Sequence, residues 1–308
     1  MSFYGLFKKP GRSGFGYNST AEEVTEGLDL TGKRILITGV NSGIGKETAR
    51  VLNKRGATIL GVARSRTKAE KACNALPGEA FPFVCDLSEP DSVRSCVESV
   101  REYGEALDAI VANAGIMALP ELNQKYGYEL QFLTNHIGHF ILVTGLVDQL
   151  TDDGRVVMLS SAAHERSPAD GIDFDNLSGE KDYDPFTAYG QSKLANLLFA
   201  KELAHRFKKD DSHNRVAMAV HPGVIRTNLA RHLHPILQGL FGVFGPLFTK
   251  TVEQGAATQT WAAVHPDAAS LNGNYLSDCN VAQPTFHATD RHLAEKLWAE
   301  TERIVDEL

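Results

Sequence analysis

The chain has 308 residues, of which 43% are hydrophobic and 22% charged, with a formal charge of −7. That length can bury a large core, as one large α/β domain or two smaller ones, and the balance of apolar and charged residues excludes a disordered or fibrous chain. The negative charge argues against non-specific binding to nucleic acid or to an anionic membrane.

The four cysteines, Cys73, Cys85, Cys96 and Cys279, show no Cys-x-x-Cys spacing and no histidines around them. They read as buried free thiols in a reducing compartment, with no metal site. Met1 to Lys9 is too short for a secretory signal, and its charge follows the apolar residues instead of preceding them. The most apolar later stretch, Pro235 to Phe248, is too short to span a bilayer and holds Pro246 and three glycines. The expectation is an intracellular, cytoplasmic protein without a transmembrane span, with peripheral membrane contact as the alternative.

Residues 1–28 read as an N-terminal extension outside the core, and 29–308 as one domain. From Lys33 the chain alternates. Apolar runs predict strands at Ile35–Thr38, Ile59–Val62, Phe81–Cys85, Ala109–Ala112, Val156–Ser160 and Val216–Val220, with a shorter one near Asn274–Leu276. Most are continuous β-branched runs, the pattern of strands buried on both faces. Helices are predicted at about 43–55, 66–75, 89–103, 124–150, 186–208, 252–265 and 288–306. Repeated βα alternation predicts an α/β fold, a single doubly wound Rossmann-type domain. Its sheet is mostly parallel, of about seven strands, with helices on both faces.

After the first strand comes Thr38-Gly-Val-Asn-Ser-Gly-Ile-Gly45. Gly39, Gly43 and Gly45 permit a tight turn and close backbone approach, while Asn41, Ser42 and Ile44 lead into a helix whose N-terminal amides would face a dinucleotide pyrophosphate. The second strand ends in Arg64-Ser65-Arg66, with no carboxylate until Glu70. Arg64, with Ser65 or Arg66, suits the 2′-phosphate of NADP(H) over NAD(H); the plainer reading is a solvated arginine. Asp86-Leu87 follows the third strand and would reach the adenine ring. Asn113-Ala114-Gly115 follows the fourth and would approach the cofactor with its backbone.

Tyr-x-x-x-Lys occurs twice, at Tyr4/Lys8 and at Tyr189/Lys193. Residues four apart share one helix face. Tyr4 lies in the tail, whereas the Tyr189 helix follows a strand ending in Ser160-Ser161, so all three groups can converge at the carboxyl edge of the sheet.

At these residues the chain resembles the short-chain dehydrogenase/reductase family. The matching pieces, in family order, are Thr38–Gly45, Asp86, Asn113-Ala-Gly115, Asn135, Ser161, Tyr189/Lys193 and His221-Pro-Gly223, and the resemblance spans about residues 29–285. It implies that Tyr189 is the general acid/base, that the Lys193 ammonium favours the phenolate and holds the nicotinamide ribose, that Ser161 binds the substrate oxygen, and that Asn135 supports a water-linked proton path to the lysine. It places Pro222, Gly223, Val224 and Thr227 in the segment closing over the nicotinamide, with His221 read as packing. The family often has a second asparagine where this chain has Ala112, which leaves one hydrogen bond of that junction in doubt. The longer stretch His164–Asp184, with Ser19–Val24, Leu130–Phe140, Tyr189–Asn196 and Gln254–Thr258, resembles the branch holding retinol dehydrogenases, the WW-domain oxidoreductase and the chloroplast translocon-associated dehydrogenase.

In the family the region after Thr227 forms a lid, here about 228–250. Its apolar residues would suit a lipophilic aldehyde, ketone or alcohol. They would also suit a packed helix or, as a third and lesser reading, membrane contact, alone or together with Phe3, Tyr4, Leu6 and Phe7. The resemblance thus implies an NADP(H)-dependent enzyme interconverting a carbonyl and an alcohol on a small lipophilic molecule, as a monomer or homodimer, with no nucleic-acid partner and no metal. The alternative is an NADP(H)-binding scaffold or redox sensor acting through protein partners. A nucleotide-sugar epimerase is disfavoured by the glycine spacing and by the lack of an acidic selector.

Overall fold

The computed structural model describes residues 5, 8–210, 212–225 and 249–308. The strands are β1 (Arg34–Thr38), β2 (Thr58–Ala63), β3 (Ala80–Val84), β4 (Leu107–Ala112), β5 (Gln124–Lys125), β6 (Tyr128–Glu129), β7 (Leu150–Leu159), β8 (Val216–His221), β9 (Tyr275–Ser277) and β10 (Asn280–Val281). Eight of them form one sheet in the order β10-β9-β8-β7-β4-β1-β2-β3. All neighbours in it run parallel except the edge pair β9 and β10. The architecture is the mostly parallel doubly wound sheet expected, with one strand more than the expected seven or so.

The strands read as continuous apolar runs because both faces are covered. In β1, Leu36 packs into one buried cluster with Ile110 and Met158, while Ile35 and Ile37 pack into the other with Val111 and Val157. Helices α1 (Gly43–Lys54), α2 (Arg66–Cys73), α3 (Pro90–Tyr103), α6 (Pro185–Lys209), α7 (Val252–Val264) and α8 (Arg291–Glu307) fall close to their predicted places. The four cysteines are free and buried.

Two expectations are corrected. The helix expected over 124–150 is shorter. Its first residues form the hairpin β5–β6, because Tyr126 and Gly127 take φ of 55° and 82°, the backbone of a two-residue type I′ turn. The helical part is α4 (Leu130–Phe132), a π-helical turn over Leu133–Ile137, and α5 (Gly138–Thr144). Secondly, the N-terminal extension is not all outside the core. Ala21 and Val24 lie in the same apolar cluster as Ile35 and Ile37. Glu22 pairs with Arg50 at 2.7 Å and with Lys54 at 3.0 Å on α1.

Strand order reverses at β1, whose neighbours are β2 and β4. In open α/β sheets, ligands bind in the crevice beyond the carboxyl ends of the strands at such a switch point. Thr227, the predicted lid up to residue 248, the apolar stretch Pro235–Phe248, and Phe3, Tyr4, Leu6 and Phe7 lie outside the described residues. Among the described residues no helix is long and apolar enough to cross a membrane.

Candidate active site

The glycine turn sits at the switch point. Gly39 and Gly43 have φ of 77° and 59°, which L side chains rarely adopt. A Cβ on Gly45 would lie 2.4 Å from Asn113 Nδ2 and 2.6 Å from the Gly39 carbonyl oxygen. Glycine there lets α1 start against the β4 loop. Ser42, the residue before α1, makes no side-chain cap, so the first-turn amides of this helix remain available to an anion. Asn41 and Ser42 are exposed, and Ile44 is buried behind them. The cradle fits a dinucleotide pyrophosphate.

The two loops flanking the turn are tied to it. Thr38 Oγ1 accepts hydrogen bonds from the Asn113 and Ala114 amides, each at 2.9 Å, and Asn113 Nδ2 donates to the Thr38 carbonyl at 2.8 Å. The junction left in doubt by Ala112 is closed from elsewhere: Gln259, on α7, donates to Asn113 Oδ1 at 3.1 Å and to Thr48 Oγ1 at 2.7 Å. Beyond β2, Arg64, Ser65 and Arg66 are exposed. Asp86 Oδ1 accepts from the amide and hydroxyl of Ser88 at 3.0 and 2.7 Å, while Leu87 is buried.

The other half of the site is carried by β7 and α6. Asp184 caps α6 by accepting from the Phe186 and Thr187 amides at 3.1 and 2.7 Å, and Pro185 begins the helix. Tyr189 and Lys193 lie one turn apart, with Lys193 Nζ 5.6 Å from the centre of the Tyr189 ring. Lys193 Nζ donates to the Leu159 carbonyl at 3.0 Å, and Ser160 Oγ donates to the Lys193 carbonyl at 2.7 Å. Ser160 thus fastens α6 to the sheet, while Ser161 Oγ accepts from the Ala163 amide at 3.1 Å in the loop that packs against α6 at Gly190.

Burial dominates the electrostatics here. It pushes the phenol of Tyr189 up to about 12, with the nearby Ser161 hydroxyl opposing, and pushes the Lys193 ammonium down to about 7. The phenol lowering expected from a neighbouring ammonium is therefore not the controlling effect in the protein alone. Asn135 lies in the π-helical turn. Its Oδ1 accepts from the Ile116 amide at 2.8 Å, and its Nδ2 donates to the Ile116 carbonyl and to Ser192 Oγ, both at 2.9 Å. A Cβ on Gly115 would lie 2.9 Å from Asn135 Oδ1 and 3.5 Å from Lys193 Nζ. The β4 loop, the π turn and the α6 pair therefore meet at one place.

Pro222 and Gly223 leave β8 toward the same edge. Gly223 has φ of 89°, a Cβ there would lie 2.7 Å from Lys250 Cδ, and the Val224 carbonyl accepts from the Lys250 amide at 2.8 Å. Val224 itself is exposed. His221 Nδ1 accepts from the Ala162 amide at 3.1 Å, and burial with the nearby Lys250 charge holds it neutral, down to about 4.

Several residues of this arrangement have no role assigned to them from the sequence. Gly190 is one: a Cβ there would lie 2.6 Å from the Ala163 carbonyl oxygen, so glycine lets α6 approach the loop bearing Ser161. His164 sits under that loop, with Nδ1 2.7 Å from the Ser161 carbonyl oxygen and Nε2 accepting from the Thr285 amide at 3.2 Å. Gln259 and His139 are others. Only the spacing of the histidine from Asn135, four residues along a helix, is visible in the sequence.

Fold and site together define a Rossmann-type oxidoreductase that uses a nicotinamide cofactor. The family model described as short chain dehydrogenase matches residues 33–236, and the chain belongs to that family. It is similar to short-chain dehydrogenase TIC 32 B, chloroplastic, of Brassica napus, at 39% identity with all of both chains covered. It is 36% identical to human retinol dehydrogenase 14, over 90% of this chain and 87% of that one. Among solved structures, a blue fluorescent protein from a metagenomic library, in complex with NADPH, superposes with a TM-score of 0.65 at 25% identity, covering 81% of this chain and 97% of that one. As a member of the family the protein is an oxidoreductase acting on CH–OH and C=O groups.

Proposed function

We propose that the protein is an NADP(H)-dependent enzyme that interconverts a carbonyl and an alcohol on a small lipophilic molecule, with Tyr189 as general acid/base. The observation that carries this reading is the convergence of Tyr189, Lys193 and the Ser161 loop on one edge of the sheet, beside the glycine turn.

When bound, the nicotinamide gives a hydride to the substrate carbon or takes one from it. The chain supplies the rest. The first-turn amides of α1 hold the pyrophosphate, and Asn113-Ala114-Gly115 offers its backbone beside the ribose. Ser161 orients the substrate oxygen and stabilises the charge that develops on it. Tyr189, raised to about 12 by burial, holds its proton at neutral pH and donates it to that oxygen during reduction. Lys193, fastened to the Leu159 carbonyl at 3.0 Å, stands beside the ring and stabilises the phenolate left behind. Asn135 holds the Ile116 backbone and Ser192, one residue from the lysine. Pro222, Gly223 and Val224, which follow β8 at the same edge of the sheet, would flank the nicotinamide.

The preference for NADP(H) is supported by Arg64, Ser65 and Arg66. All three are exposed after β2, and no hydrogen bond or ion pair engages their side chains among the described residues. The lipophilic substrate is supported by the apolar composition of 235–248 and by the similarity to a retinol dehydrogenase.

The test is product analysis with NADPH against retinal, steroid ketones, medium-chain aldehydes and quinones, with Tyr189→Phe as control. Turnover by the wild type and a loss on the order of a thousandfold in the variant, at nearly unchanged NADPH affinity, is the expected result. Full turnover by Tyr189→Phe would remove the assignment. Tight NADPH binding without turnover of any panel member would favour a cofactor-binding scaffold.

A further inference from the structure

His139, on α5, is completely buried and stands between the two halves of the site. Its Nε2 lies 3.0 Å from Thr38 Oγ1, and its Nδ1 lies 2.9 Å from the Asn135 carbonyl oxygen. The proton count leaves one arrangement. Thr38 Oγ1 already accepts from the Asn113 and Ala114 amides, each at 2.9 Å. Both of its lone pairs are used, and only its own proton remains to be shared. That proton goes to Nε2, which must therefore be bare. The Asn135 carbonyl can only accept, so the ring proton sits on Nδ1. An imidazolium would set an N–H against an oxygen with no free lone pair, and burial beside Lys193 further opposes its charge.

These bonds form a chain across the molecule. From Thr38, which holds the Asn113-Ala114 amides, it runs through the His139 ring to the Asn135 carbonyl. Asn135 Nδ2 then donates to Ser192 Oγ at 2.9 Å, and Ser192 Oγ donates to the Tyr189 carbonyl at 2.8 Å. Thr38 and Asn113 belong to the cofactor side, and Tyr189 to the proton-transfer side. The only buried side chain that bonds to both Thr38 Oγ1 and Asn135, among the described residues, is His139.

We propose that His139, as the neutral Nδ1–H tautomer, is a positioning residue that locks the cofactor loops at Thr38 to the π-helical turn at Asn135, and so sets the cofactor side against Tyr189. It touches neither substrate nor reacting atoms. A purely space-filling histidine would be replaceable by an aromatic ring of similar size. This one is not, because its loss leaves the Thr38 hydroxyl proton without an acceptor and frees the Asn135 carbonyl. The kinetic part of the inference rests on the function proposed above, whereas the tautomer does not.

The test combines nitrogen-15 NMR of the histidine rings with NADPH titration of wild type and variants. Wild type should show the solvent-shielded rings of His139 and His164 both protonated on Nδ1, and only the His139 signal should disappear in His139→Phe. In His139→Gln the side-chain amide oxygen can still accept from Thr38; in His139→Asn the amide can still donate to the Asn135 carbonyl; His139→Phe can do neither. With unfolding temperatures matched, His139→Phe should weaken NADPH binding on the order of tenfold, His139→Gln should recover most of it, and His139→Asn should recover turnover more than affinity. Protonation of the His139 ring on Nε2, or a glutamine variant no better than phenylalanine, would overturn the proposal. Failure of the wild type to bind NADPH would remove the functional reading instead, and the ring tautomer would then decide the lock by itself.

Discussion

Gly190 lies so close to Ala163 that a methyl group on its Cα would come within 2.6 Å of the Ala163 carbonyl oxygen. That clearance sets how near Tyr189 comes to Ser161, because Ala163 and Ser161 share one short loop and Gly190 and Tyr189 one helix turn. Gly190→Ala gains helix propensity yet must push the two segments apart. We expect kcat/KM to fall on the order of a hundredfold, since an ångström of misplacement costs that much, while the unfolding temperature drops by only a few degrees. Unchanged kinetics in a folded variant would show that the contact does not position the pair.

Lys193 sets a pH dependence whose sign can be worked out. Burial lowers it from the ordinary 10.5 to about 7 in the folded protein. Between those values the unfolded chain carries a proton that the folded protein does not, so stability rises with pH across that window. Lys193→Met removes this contribution. It should raise the unfolding temperature at pH 7.5, flatten its climb toward pH 10 and abolish turnover, with Asn196 still donating to the Leu159 carbonyl at 3.1 Å. Thermal unfolding at several pH values checks it, and a variant less stable than wild type at pH 7.5 would contradict it.

Arg64 bears on cofactor choice. Arg64→Asp places a carboxylate where a 2′-phosphate would sit and where the hydroxyls of an NAD ribose could be bound. The Kd for NADPH should rise on the order of a hundredfold and that for NADH should fall, because a charge-assisted pair becomes a like-charge contact. Fluorescence titration with both cofactors reads this directly. An unchanged ratio would assign the arginine to solvent.

Val24 tests the N-terminal segment. It is 1% exposed against the β1 side of the core. Val24→Asp buries a carboxylate without a partner and should cost on the order of 2–4 kcal/mol of stability. Turnover per folded molecule should be retained. Denaturant unfolding measures the first and active-site titration the second; a loss of well under 1 kcal/mol would mean that the segment is readily released.

Much of the protein is legible in local signals. The β-branched runs, the glycines after β1 and the spacing of Tyr189 and Lys193 each depend on neighbours within a few residues, because backbone propensity and helix periodicity act over that range. Their order along the chain is enough to anticipate the parallel sheet and the family. What tertiary structure alone decided are contacts between residues remote in sequence. The hydrogen bond of His139 to Thr38 spans 101 residues, and that of Gln259 to Asn113 spans 146. The closeness of Gly190 to Ala163 and the burial of Val24 belong with them. A side chain reveals its role in such contacts only when the fold removes water from it and leaves one partner in reach. The residues of the proposed chemistry are thus legible from their order in the chain, and those that hold them in place only from the fold.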